Sequence, residues 1–108
     1  MTPTQRSLKH LRGEGYTVGI VEHWNPFAHI RQDLFGFVDL VALDPKFMQV
    51  IFVQTTSGSN VSARVQKIEV NPHYATAKAA GVRVEVHGWS KRGERGKRKT
   101  WQLRIVEM

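Results

Sequence analysis

Residues 37–60 read FVDLVALDPKFMQVIFVQTTSGSN. Two apolar runs flank Asp44-Pro45-Lys46, a turn-forming triplet, so the stretch predicts two strands joined as a hairpin. The strands are expected at residues 35–43 and 47–55. Ser57, Gly58, Ser59 and Asn60 follow and predict the cap of a helix over 61–70, in which Val61, Val65 and Ile68 recur at helical spacing. Strand alternation puts Phe35, Phe37, Asp39, Val41 and Leu43 on one face of the first strand. On the second it groups Val50, Phe52, Gln54 and Thr56. Asp39 is then a carboxylate among apolar neighbours, and it must be paired, hydrogen-bonded or bound to a metal. Gln54 reaches it from the adjoining strand. Either Gln54 only satisfies Asp39, or the two converge on a ligand.

Outward from this hairpin the elements fall in a single order. Thr2, Pro3 and Gln5 form a capping box at the start of a helix with apolar Leu8 and Leu11, ended by Gly13 and Gly15. YTVGIVE, residues 16–22, is β-rich, and HWNPFAHIRQD, residues 23–33, reads as a loop broken at Asn25-Pro26. After the 61–70 helix, HYATAKAAG at 73–81 is a short Ala-rich helix, and VRVEVHGW at 82–89 alternates like a strand with one buried face. TWQLRIVE at 100–107 returns as the last strand. The expectation is one α/β domain over residues 1–108, in the order α-β-β-β-α-(α)-β-β. Its central mixed sheet is flanked by helices and carries a C-terminal basic hairpin.

Sixteen Lys and Arg against nine Asp and Glu give a net charge of +7. A basic balance of this size favours polyanionic partners, nucleic acid first among them. The charge is concentrated in SKRGERGKRK, residues 90–99, where Lys91, Arg92, Arg95, Lys97, Arg98 and Lys99 stand between Trp89 and Trp101. Such a loop can contact several phosphates, or it can be a solvated turn. The absence of Cys excludes disulfides and thiolate metal sites and fits an intracellular, cytoplasmic protein. No run has the length of a membrane span, so no membrane partner is expected, and the N-terminus lacks the apolar centre of a signal peptide. His10, His23, His29, His73 and His87 show no paired spacing, which argues against a zinc site.

FVDLVAL, a turn, VIFVQTT and a Ser/Gly-rich helix start together resemble the core of the PD-(D/E)XK nucleases. The resemblance is closest to the branch holding archaeal Holliday-junction resolvases, and it runs from the first helix to about Trp89. It implies a restriction-endonuclease-like α-β-β-β-α-β core and a metal-dependent DNA endonuclease. By resemblance Asp39 takes the place of the first acid. Gln54 falls where the second acid stands and Thr56 where the Lys stands, so Asp39 and Gln54 would hold Mg²⁺ or Mn²⁺ weakly.

Compensating charge is at hand in Glu22, Asp33 and Arg64, although groups of this kind are more often solvated surface charges. Ser57 and Asn60, at the helix start, could receive a phosphate or serve only as caps. A resolvase-like enzyme is expected to be a homodimer, because symmetric cutting of two strands needs two sites. The alternative is a protein of the same fold that binds nucleic acid without cutting it.

Overall fold

The structure is a computed structural model that describes residues 1–108. Helix α1 (Pro3–Gly13) begins with the expected capping box. Thr2 Oγ1 accepts from the Gln5 amide at 3.2 Å, and Gln5 Oε1 accepts from the Thr2 amide at 3.3 Å. Strand β1 (Thr17–Ile20) is followed by a hairpin of β2 (His23–Asn25) and β3 (Ile30–Gln32), and then by β4 (Leu40–Asp44) and β5 (Gln49–Ser57). A 3₁₀ turn (Gly58–Asn60) leads into α2 (Val61–Glu69), then α3 (Pro72–Ala79), β6 (Arg83–Arg92) and β7 (Thr100–Glu107).

β1, β4, β5, β6 and β7 lie side by side in that order as one mixed sheet. β5 and β6 are parallel and the other neighbours antiparallel. A parallel pair needs a long crossover, which α2 and α3 supply. The sheet has a core on each face. Leu11 of α1 packs with Val18, Leu40, Ala42, Ile51 and Val53 on one face. Val61 and Ile68 of α2 pack with Phe37, Val38, Val84 and Val86 on the other. The α/β architecture with helices flanking a central mixed sheet is thus as expected. No helix is long and apolar enough to cross a membrane.

Four local expectations need correction. The strand placed at 35–43 begins only at Leu40. Phe35 and Gly36 both adopt positive φ, and the Leu34–Val38 bridge closes a turn around them. The loop placed at 23–33 contains the β2–β3 hairpin. Asn25 Oδ1 accepts from the amides of Phe27 (3.0 Å) and Ala28 (3.1 Å), a turn built from an Asx side chain. The start of α2 has no side-chain cap from Ser57 or Asn60; Ser57 Oγ pairs instead with Ser59 Oγ at 3.2 Å. β6 is buried on both faces, because β5 and β7 pair with its edges and α1 and α2 cover its sides.

The second buried face of β6 carries polar groups. His87 Nδ1 meets Ser7 Oγ of α1 at 2.9 Å, and His87 Nε2 meets Glu85 Oε1 at 2.9 Å. Trp89 Nε1 donates to Ser7 Oγ at 2.8 Å, and Arg83 Nε stands 2.9 Å from Glu85 Oε2. With the proton on Nε2 directed at Glu85, Nδ1 accepts from the Ser7 hydroxyl, and that hydroxyl oxygen accepts from Trp89. The order serine, histidine, carboxylate is that of a hydrolytic relay. Ser7 and His87 are each 0% exposed, so no substrate reaches them and the network acts as packing. Burial pushes the Glu85 carboxyl up. The hydrogen bond from His87, together with Arg83, outweighs burial and holds it below the usual range.

Candidate functional site

The polar end of β5 forms one wall of an open cleft of about 570 Å³. Asp39 precedes β4 at a bend but is fixed between two strands. Its amide donates to Val53 O, and its carbonyl accepts from the Val21 amide, both at 2.9 Å. Asp39 Oδ2 accepts from Gln54 Nε2 at 2.8 Å, from the Thr55 amide at 2.8 Å and from Thr55 Oγ1 at 3.1 Å. Thr4 of α1 is hydrogen-bonded to Thr55 Oγ1 in turn, at 2.8 Å. The expected meeting of Asp39 and Gln54 therefore occurs. Thr55 was not anticipated, because flat-strand alternation assigns it to the opposite face. The bend at Asp39 lets one oxygen reach successive residues of β5.

Glu22 and Asp33 complete the cluster. One carboxylate oxygen from each of Glu22, Asp33 and Asp39 lies within 4.8 Å of the others. The hairpin is the cause. His23 pairs with Gln32 as its first rung, so the residues just outside, Glu22 and Asp33, sit across its base. Both acids stand out in the sequence, but what joins them is a hairpin in a stretch whose sequence reads as a loop.

The remaining expected residues divide into two groups. Thr56, Ser57, Asn60 and Arg64 line the cleft with the acids, and Lys67 joins Arg64 there, one turn further along α2. Arg31 Nη1 stands 3.6 Å from Glu22 Oε1. Lys91, Arg92, Arg95, Lys97, Arg98 and Lys99 do not line it. Lys91 and Arg92 end β6 and the other four lie in the exposed β6–β7 connection; among the six only Lys97 has an acidic partner, Glu94, at 3.2 Å. Both tryptophans tie that hairpin to α1, Trp89 through Ser7 and Trp101 beneath the Arg6 guanidinium, 3.8 Å from the ring centre.

Burial and close packing raise the pKa of two of these carboxyls, Asp33 and Asp39, above the usual value. Burial first, then the hydrogen bond and negative charge of Asp39, push Asp33 from 3.8 up to about 6, against the pull of Gln54 and Arg64. Burial also raises Asp39 above its usual value, despite hydrogen bonds from Asp33, Thr55 and Gln54 that favour its charged form. A raised carboxyl binds more protons in the folded than in the unfolded chain, so its ionisation lowers stability as pH rises through the folded value. The penalty is absent below about pH 4 and complete above about pH 6.

Asp33→Asn is therefore expected to match the parent's stability near pH 4 and exceed it near pH 7. For this half-exposed group the gain is about 1 kcal/mol after solvent screening. Urea unfolding of both proteins across that range checks it, and equal midpoints at pH 7 would refute it.

A cation suits this donor set. The donors are hard oxygens, as Mg²⁺, Mn²⁺ and Ca²⁺ require, and their spacing allows ligands on opposite sides of one ion. Gln54 commits Nε2 to Asp39, which leaves its Oε1 as a further oxygen. No protein-family model, curated protein sequence or solved structure matches the chain.

Proposed function

We propose that the protein is a metal-dependent DNA endonuclease with a PD-(D/E)XK-like, resolvase-like core, acting as a homodimer. The observation that carries this reading is the convergence of Glu22, Asp33 and Asp39 in a cleft rimmed by Arg64 and Lys67. With the β2–β3 hairpin, α3 and β7 set aside, the elements α1, β1, β4, β5, α2 and β6 support the α-β-β-β-α-β reading of such a core. Asp39 and Gln54 Oε1 would hold Mg²⁺ or Mn²⁺, with Glu22 and Asp33 supplying the charge that Gln54 lacks. A divalent ion there supplies charge neutralisation at the phosphoryl oxygens and a more acidic water.

The chain's own groups do the rest. Gln54, Thr55 and the Thr55 amide fix the orientation of Asp39. Thr56 lines the cleft and offers a hydroxyl to a water. Arg64 and Lys67 present positive charge where the family's motif lysine is missing, and can face the phosphoryl oxygens. The exposed cations of residues 91–99 hold the strand through its phosphates, which positions the protein without reading sequence.

Incubation with supercoiled, branched and single-stranded DNA should give cleavage that requires Mg²⁺ or Mn²⁺ and stops with chelator. Gln54 and Thr56 in the motif positions favour one other reading, a nuclease-like fold that binds nucleic acid and no longer cuts. Salt-sensitive binding without cleavage under either metal would select it and reject the enzyme.

A further inference from the structure

Next to the carboxylate-bearing cleft lies a smaller pocket of about 120 Å³, lined by two arginines. Ser57 lines the cleft and Gly58 lines this pocket, so the two adjoin across one peptide bond. Its walls are built by β6–β7 pairing. Gly88 lies opposite Arg104 and Ser90 opposite Gln102, and Arg92 is two residues beyond Ser90 on the same face.

The floor is backbone. A Cβ on Gly58 would collide with Ser90 Oγ, and one on Gly88 would collide with Val61 Cγ2 and come within 3.2 Å of Gly58 Cα. The two glycines thus let the 3₁₀ turn rest directly on β6. No acid lines the pocket, and neither Arg92 nor Arg104 takes part in any of the chain's ion pairs. Two unpaired guanidiniums, an amide and a hydroxyl around a small hollow form a donor-rich site for a tetrahedral oxyanion.

We propose that this pocket binds a phosphate group, and that the group it takes is a backbone phosphate of a nucleic-acid strand whose neighbouring segment crosses the acidic cleft. The inference rests on the nucleic-acid reading above and adds Arg104, Gln102 and Ser90 to the contact surface. Arg92 and Arg104 grip the phosphoryl oxygens and Gln102 and Ser90 donate to them. The strand is thereby set in register with the carboxylates next door.

Two probes separate the sources of phosphate: inorganic phosphate and a short DNA duplex, each titrated into the ¹⁵N-labelled protein without metal. Both are expected to shift the Gly58 and Gly88 amide signals. Arg104→Gln should remove those shifts, weaken duplex binding on the order of tenfold, and lower the slope of log affinity against log salt by about one. Lys46→Gln, a cation in the β4–β5 turn, should change none of these. Absence of amide shifts with either probe, or equal weakening by Arg104→Gln and Lys46→Gln, overturns the pocket. The outcome is independent of the nuclease reading. Cleavage with no shifts rejects the pocket alone, whereas shifts that vanish in Arg104→Gln uphold it even where no DNA is cut.

Discussion

Asp39→Asn is expected to abolish metal-dependent cleavage while making the protein harder to unfold. Asparagine keeps the shape of the side chain and an oxygen that can accept from Gln54 Nε2, Thr55 Oγ1 and the Thr55 amide. It removes the charge. Losing a carboxylate from the ion's ligand set removes roughly 4 kcal/mol of transition-state stabilisation, or about 10³-fold in rate. Stability moves the other way, because burial raises the Asp39 carboxyl and its ionised form is disfavoured in the fold.

A third measurement ties the two together. An ion present at ten times its dissociation constant stabilises the parent by about 1.4 kcal/mol, a rise of several degrees in melting temperature for a domain of this size. That rise should disappear in Asp39→Asn. A variant that cuts at the parent's rate, or keeps the cation-dependent rise, would remove Asp39 from the ion's site.

His87→Ala is expected to be the most damaging substitution to the fold, at about 3–5 kcal/mol. It deletes a side chain that is 0% exposed and leaves two partners short: Glu85 Oε1 and the Ser7 hydroxyl. Each buried polar group stranded in this way costs about 1–3 kcal/mol, and the cavity adds to it. Total stability for a domain is about 5–15 kcal/mol, so the variant approaches the limit of folding at 25 °C. Ser7→Ala, which strands Trp89 Nε1 and His87 Nδ1 but leaves little void, should cost about 1–3 kcal/mol. Urea midpoints measure both. A loss under 1 kcal/mol for His87→Ala would mean that the network contributes little. Neither residue lines the acidic cleft, so cleavage by folded Ser7→Ala should remain near that of the parent.

What the sequence disclosed follows from the range of the forces involved. The capping box at Thr2 and Gln5, the strands around Asp44-Pro45 and the basic β6–β7 turn are local patterns, and each recurs in the structure. Asp44 even acts as the turn's own acceptor, taking the Lys46 amide at 3.0 Å. Residues 35–37 misled because their aromatic side chains imitate a strand, whereas positive φ at Phe35 and Gly36 turns the chain.

β6 misled for another reason. Glu85 and His87 look like an outward polar row, and the arrival of Ser7 from α1, beside Arg83 on the same strand, makes their burial tolerable. Asp39 and Gln54 were readable as a pair because adjacent strands bring them together. The joining of Glu22 to Asp33 was harder to see. Its one signal was Asn25-Pro26, set between short polar-apolar runs that leave those acids equally placed on either side of a turn.

The β2–β3 hairpin pairs with neither edge of the five-stranded sheet. It works as a clasp fastened to the outside of the scaffold, with Glu22 and Asp33 as its two rivets. Cutting out residues 22–33 would strip both acids in one event and leave every rung of the main sheet in place. The proposed chemistry and the architecture are therefore separable in this chain, and mutational drift can remove the carboxylates of the first without unravelling the second.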